Sequence, residues 1–447
     1  MTKDMTTGSP FKIMFSFFVP LMLANLFQQF YNLADTIIVG RCIDGDALAA
    51  VGSTGSIGYL IIGFCTGVCS GFAIPIARSF GAKDYSDMRK YAANCIYLSV
   101  IMSIIFTVIS IIFCRQLLTI MHTNESIFED ANNYLHIIFL GIPVTILYNL
   151  CAAVIRALGD SKMPLLFLII SSVINVFLDL FFIQTLSLGV EGAAIATISS
   201  QALSGIMCLI YLMRFEIMKI QKDEKSFSPK HVKTLCYTGL PMGFQCSLIS
   251  LGSVIQQTAV NNLAKPLYIT AVTAASKIYF ILGGPFDSIG VSLATFTSQN
   301  LGAGKLDRIK TGLRQCLITG LIISIVSGVI IYFFGRDMAY IFVDEPSEEL
   351  ISYIYQYLMW CAVFFVSLSW LHIFKNLIQG LGYSSVALFG GFGEMLARIL
   401  AAIFIIPAFG YIGMCASNVL SWILADIFLI PAFFIIMKKV TKTIDNK

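Results

Sequence analysis

The stretch MFSFFVPLMLANLFQQFYNLADTIIVG, residues 14–40, decides how the rest of the chain is read. It is longer than the about 20 mostly apolar residues that carry a helix across a bilayer, yet it holds Asn25, Gln28, Gln29, Asn32 and Asp35. The apolar core of a signal peptide would not tolerate that set, so the stretch is expected to be a retained first span. Asn25, Gln28, Asn32 and Asp35 are spaced 3, 4 and 3, which puts them in one polar stripe on an otherwise apolar helix. Such a stripe cannot face lipid, where nothing satisfies a polar group. It has to face other helices or a wet pocket.

Outward from this stretch the pattern repeats. The 447 residues are 57% hydrophobic and 12% charged, about half the charged fraction of ordinary soluble domains. Spans are expected near 14–40, 47–77, 91–113, 132–155, 163–185, 191–213, 234–260, 267–298, 312–334, 351–374, 385–407 and 412–436, twelve in all. The apolar runs are continuous rather than alternating, which selects helices over a barrel, the only other structure hydrocarbon permits. This composition excludes a cytosolic enzyme, a disordered chain and a disulfide-rich secreted fold. Most of the 12 Cys lie inside apolar stretches, where a thiol behaves as a small hydrophobe. No Cys/His spacing resembles a zinc site. A net charge of +4 is too small, and too one-sided in its placement, for nucleic-acid binding.

Lys and Arg give the direction. With both termini cytoplasmic, inner segments carry 23 of the 29 basic residues and outer ones carry 4, Arg41, Arg115, Lys265 and Arg336. Losing one span would reverse the sidedness of everything after it, so the asymmetry also supports the count of twelve.

The two halves of the chain repeat each other. Pro20 pairs with Pro241, Phe80-Gly81-Ala82-Lys83 with Leu301-Gly302-Ala303-Gly304, and Leu188-Gly189-Val190-Glu191-Gly192 with Phe409-Gly410-Tyr411-Ile412-Gly413, each at an offset of 221. Ile155-Arg156-Ala157-Leu158-Gly159 pairs with Ile378-Gln379-Gly380-Leu381-Gly382 at 223. Six helices per repeat start both halves on the same side, so the repeats are parallel, as in some transporters. The expected domains are an amino-terminal six-helix lobe, 1–213, a cytoplasmic linker, 214–233, and a carboxy-terminal six-helix lobe, 234–447.

Ionisable residues at membrane depth are costly to insert and mark candidate function. They are Asp35, Asp179, Lys277, Asp287, Glu394, Arg398 and Asp426. Ser172, Asn175 and Asp179 form a second stripe, in the fifth span, and the two stripes are simplest to satisfy across one wet pocket. Two carboxylates there, with Asn175 as a neutral oxygen donor, could share a proton or bind a monovalent cation, and would titrate as a unit. The plainer reading is helix-to-helix hydrogen bonding alone. Glu394 and Arg398, at i and i+4, suit a structural ion pair, although Lys277 could contact Glu394 instead. His136 and His372 read as packing or hydrogen-bonding residues. Gly63, Gly67 and Gly71 make a small-residue row that lets another helix come close. Pro20, on the helix that carries Asp35, permits a bend.

These residues resemble the multidrug and toxic compound extrusion (MATE) transporters. The resemblance covers essentially the whole chain and rests on Pro20 with Gln28-Gln29-Phe30-Tyr31-Asn32-Leu33-Ala34-Asp35-Thr36, on Gly81-Ala82-Lys83, on Asn175 through Asp179, and on Gly189-Val190-Glu191-Gly192-Ala193-Ala194. It implies an all-α integral membrane protein of twelve transmembrane helices in two parallel six-helix repeats, a V-shaped two-lobe transporter. It further implies an antiporter that lets H+ or Na+ run inward while expelling amphipathic, often cationic compounds, with no other cofactor. In the DinF-like branch the coupling site pattern is met by Asp35, Asn175, Asp179 and Thr197, which would also be the ligands of a Na+ ion. The NorM-like branch adds acids in the seventh and tenth spans, whereas here Gln256 and Gln257 stand in the seventh and no carboxylate lies between Ile351 and Lys375. A substrate cavity lined by Gln28, Tyr31, Asn149 and Gln256 is expected, with a bend at Pro20, in a monomer of the cell membrane whose partners are its substrates and the bilayer.

Two other readings are separable. A flippase for lipid-linked saccharides would line its cavity with Arg and Lys, and only Lys277 and Arg398 lie within spans. An integral-membrane aspartyl protease would use an acid pair but needs no duplicated twelve-helix body.

Overall fold

The computed structural model describes residues 3–121, 123–263, 265–343 and 346–445. It is built from helices. The first repeat comprises α1 (Pro10–Cys42), α2 (Gly45–Gly81), α3 (Tyr85–Ile120), α4 (Phe128–Leu140), α5 (Ile142–Ala157), α6 (Lys162–Leu180) and α7 (Gly189–Met213). The second comprises α8 (Pro229–Asn261), α9 (Pro266–Gly302), α10 (Leu306–Ile341), α11 (Glu348–Gly380), α12 (Ser384–Leu400), the short α13 (Ile406–Phe409) and α14 (Tyr411–Asp445). Among the described residues, eleven helical segments are long and apolar enough to cross a membrane, and the bent pair α4 and α5 makes twelve.

The duplication read from the sequence is visible in the backbone. Helices α1 and α8 both have 33 residues, α2 and α9 both 37, α3 and α10 both 36. Left-handed turn residues recur at the motif offsets: Lys83 and Gly304 (φ 60° and 70°), Gly159 and Gly382 (86° and 88°), Gly189 and Gly410 (56° and 58°). A π-helical turn follows α6 at Phe181–Thr185 and α12 at Ala401–Ile405. Gly192 and Gly413 serve these turns. A Cβ on Gly192 would stand 3.1 Å from Phe182 Cβ, and one on Gly413 would stand 2.5 Å from the Ile405 carbonyl oxygen.

The fourth span departs from the expected single helix over 132–155. It breaks at Gly141, where α4 and α5 meet at 48°. Pro143 cannot donate to the preceding turn, and the second repeat has neither residue at the matching place, so α11 runs unbroken.

Two compact units result: Leu23–Ser247 with the residues up to Met5, and Thr6–Met22 with Leu248–Lys447. This division by packing differs from the division by repeat. The first turns of α1 belong with the second repeat, through Ser292 Oγ donating to the Met14 carbonyl at 3.2 Å, Lys305 Nζ to Thr6 at 2.8 Å and Arg308 Nη1 to Gly8 at 2.8 Å. The first half of α8 packs on α2 within the first unit. Here a Cβ on Gly67 would lie 2.6 Å from the Met242 carbonyl oxygen and one on Gly71 2.5 Å from Gly239 Cα, so the small-residue row is where two backbones touch. The first unit's apolar core runs through Val68, Cys69, Phe139 and Ile155. The second unit buries Phe286, Phe296, Phe365 and Trp422.

Candidate functional site

The candidate site is assembled from three helices of the first unit, α1, α6 and α7. On α6 the buried positions recur every fourth residue, Ser171, Asn175 and Asp179, and the last two have no exposed surface. The expected stripe used Ser172, but that hydroxyl turns back to the Leu168 carbonyl of its own helix at 2.8 Å. Ser171 instead accepts from Ser204 of α7 at 2.7 Å, which ties the two helices together one turn from Asn175.

From α1, Tyr31 and Asp35 reach the same place. The Tyr31 hydroxyl donates to Thr197 Oγ1 of α7 at 3.3 Å, and Ser200 of α7 donates to the Thr197 carbonyl at 2.9 Å. Asp35 and Asp179 come within hydrogen-bonding reach of each other. Two ionised carboxylates have no proton to offer, so this bond exists only when one of them is protonated. Consistent with that, Asp35 Oδ1, both Asp179 oxygens and both polar atoms of the Asn175 amide are buried without a hydrogen-bond partner. No Lys, Arg or His forms an ion pair with either acid among the described residues. An acid pair with Asp179 buried, Asp35 half-buried and no basic neighbour calls for a proton or a small cation. Its donor set, carboxylates, an amide oxygen and a hydroxyl, is made of hard oxygens suited to H+ or an alkali ion. Among the described residues no set of three or more His, Cys, Asp or Glu could hold a metal ion by itself, so an alkali ion here would need Asn175 and Thr197.

The structure thus brings Asp35, Asn175, Asp179, Thr197 and Tyr31 together. Beside them Tyr134 of α4 packs against the apolar cluster of Val39, Ile183 and Val190. A search for ionisable residues passes over a tyrosine in an apolar span, and only the fold reveals it. The other expected cavity residues have hydrogen-bond partners of their own. Gln28 donates to Asn32 at 3.3 Å and Asn149 to Thr145 of its own helix at 2.8 Å. Gln256, in the second unit, is 5% exposed and donates to Met414 Sδ at 3.4 Å. Pro20 lies inside an unbroken α1, two residues before the chain passes from one compact unit to the other.

The acids of the second unit have different company. His372 pairs with Asp287 at 3.3 Å. Ser367 donates to Asp426 at 2.6 Å. Glu394 stands 4.0 Å from Arg398, which also donates to the Ile249 carbonyl at 3.1 Å. Lys277 is exposed and is not the partner of Glu394.

A membrane body of up to twelve spans built from a parallel duplication, with an oxygen-lined acid pair inside one unit, is the build of a membrane transporter of duplicated type. A family model described as MatE matches residues 20–181 and 241–404, and the chain belongs to that family. It is 28% identical over 365 residues to "Probable multidrug resistance protein YoeA" of Bacillus subtilis (strain 168), covering 79% of this chain and 78% of the relative. It is 28% identical over 384 residues to "Probable multidrug resistance protein YpnP" of the same organism, covering 85% and 84%. Its fold matches, with a TM-score of 0.91, 23% identity and 99% coverage of both chains, a solved structure described as "Outward-facing conformation of a multidrug resistance MATE family transporter of the MOP superfamily".

Proposed function

We propose that this MATE-family protein exports small amphipathic, often cationic compounds by alternating access, driven by H+ or Na+ entering through Asp35, Asn175, Asp179 and Thr197. The observation that carries the reading is the acid pair without a base: its charge is balanced only when an ion is bound, so loading and release change the energy of the first unit. An ion can shift a conformational equilibrium only by its differential affinity for the two states, and a site split between α1 and α6 changes its affinity whenever those helices move. Pro20 supports such movement, because it leaves α1 without one backbone hydrogen bond. The names of the Bacillus relatives support drug-like substrates. The distribution of Lys and Arg supports cytoplasmic termini and a cytoplasmic 214–233 segment.

The test is dye efflux from proteoliposomes under proton and sodium gradients imposed separately. Transport driven by one gradient and abolished by Asp35→Asn or Asp179→Asn is the expected result. Efflux that ignores both gradients would remove the coupling role.

A further inference from the structure

We infer that the second unit carries a seat for one anionic diacyl phospholipid, in the groove between the first turns of α1 and the first half of α10. The groove has a volume of about 540 Å³ and is walled by Phe15, Phe18, Val19 and Met22 from α1 and by Ile318 and Ile322 from α10. From Phe11 to Met22 it follows α1 for eleven residues, about 16 Å at helical rise. That matches one leaflet of hydrocarbon, half of the about 30 Å core. The length and apolar lining suit an acyl chain lying along the helix.

Charge identifies the headgroup. Helices α1 and α10 enter the groove with their N-terminal ends together, since Phe11 and Gln315 line one end and Met22 and Ile323 the other. Several basic residues stand at the first end, and most are engaged. Lys305 and Arg308 donate to the carbonyls of Thr6 and Gly8, and Lys310 pairs with Asp307 at 3.1 Å. Lys12 and Arg314 are exposed and have no partner among the described residues. Helical spacing places Lys12 on the stripe of Phe15, Val19 and Met22, and Arg314 on the stripe of Ile318 and Ile322. Two unpaired cations at the mouth of an acyl-length groove complement a lipid phosphate.

A second observation is independent of the charges. Gln315 lines the same mouth, and its side-chain oxygen is buried with no hydrogen-bond partner. The headgroup would then span the starts of α1 and α10, which Lys305 and Arg308 already hold together.

This inference rests on the membrane reading of the chain but not on transport, so its test needs no gradient. Purified full-length protein is stripped of lipid, titrated with phosphatidylglycerol or phosphatidylcholine, and read by native mass spectrometry. Phosphatidylglycerol should be preferred, and Lys12→Gln and Arg314→Gln should each weaken it about fivefold, the scale of one basic residue near an anionic surface. Lys310→Gln, an equal loss of charge from the same region, should leave the preference intact. Val19→Trp with Ile318→Trp should expel the lipid while keeping both cations. Equal retention of the two lipids overturns the assignment. So does a Lys310→Gln effect as large as that of Lys12→Gln, or binding that survives the filled groove. Each single charge variant alters an exposed side chain, and an unchanged melting temperature confirms its fold.

Discussion

Arg89 at the start of α3 grips Glu224 with two hydrogen bonds, Nε to Oε2 at 2.6 Å and Nη2 to Oε1 at 2.7 Å, across 135 residues of chain. The segment after α7 is therefore a strap. Arg89 also donates to the Ile217 carbonyl, Tyr97 to the Lys225 carbonyl at 2.7 Å, and Asn94 accepts from the Ser228 backbone at 3.0 Å. Breaking a buried pair by removing one partner costs about 3–5 kcal/mol, and some solvent access to Arg89 lowers the expectation here to about 2–3 kcal/mol. Glu224→Gln should accordingly speed hydrogen exchange in residues 214–228 by roughly 30- to 150-fold, while α5 keeps its protection.

The same pair sets an acid limb. Hydrogen bonds from Arg89, opposed by burial, hold the Glu224 carboxyl down at about 2. A carboxylate lowered in the folded state contributes stability above its unfolded value, about 4.3, and loses that contribution as pH falls toward 2. Protection of the strap should be flat from pH 5 to 8 and fall only below about pH 4. In Glu224→Gln this acid limb should vanish, which exchange measured across pH would show.

The contact between α2 and α8 makes a prediction about packing. Gly71→Ala places a methyl against the backbone of Thr238 and Gly239, so the helices must separate. Overpacking of this kind costs about 1–3 kcal/mol, and the melting temperature in detergent should fall. Gly52, in the same helix, has nothing within 4 Å of its would-be Cβ. Gly52→Ala should hold or raise the melting temperature, since Ala favours a helix by up to about 1 kcal/mol over Gly.

Much of this architecture was legible because it is written in hydropathy and in turn residues. Spans follow from apolar length, and the duplication follows from motifs such as Gly189 and Gly410, whose left-handed turns the fold repeats. The place of Asp35 was legible because a carboxylate on an apolar helix has few places to go, although Asn32 of the same stripe is exposed. Other features were not, for physical reasons. Hydropathy does not resolve which of two adjacent serines faces the next helix, so spacing alone points to Ser172 where Ser171 is buried. Nor does it register a break that keeps composition apolar, although Gly141 with Pro143 carried that signal. Which compact unit each half of α1 and α8 joins is decided by long-range contacts such as Ser292 with Met14, and no local pattern encodes those. Tyr134 packs on Val39, Ile183 and Val190 through the placement of α4, which only the assembled fold determines.

Tyr31 and Thr197 offer a test of how the acid site is held. Tyr31→Phe removes one hydroxyl and leaves the ring, and a hydrogen bond of this kind contributes about 0.5–1.5 kcal/mol. Under the proposed function, half-saturation by the coupling ion should shift about 2- to 13-fold with the maximal efflux rate kept. Thr197→Ala should do the same, and the double variant should cost less than the two singles together because both lose one shared bond. Full additivity would mean that the two hydroxyls act separately.

Asp35 and Asp179 carry the strongest expectation. Replacing either by Asn keeps size and hydrogen-bonding capacity, so the pocket is retained while one titratable group is lost. The remaining acid no longer meets a second negative charge, and Asp179 in particular would sit beside an amide able to donate to it. Both variants should therefore insert, purify as monodisperse protein and melt no lower than the parent. Their stability should respond less to pH or Na+ than the parent's, because the ion that balances the pair is the linked ligand. Gradient-driven efflux should be lost in each, by about 100-fold or more if coupling supplies at least the roughly 2.7 kcal/mol to which that factor corresponds. Dye binding should persist. Either variant transporting at the parental rate under the same gradient would separate the acid pair from coupling and leave it as a helix-packing device.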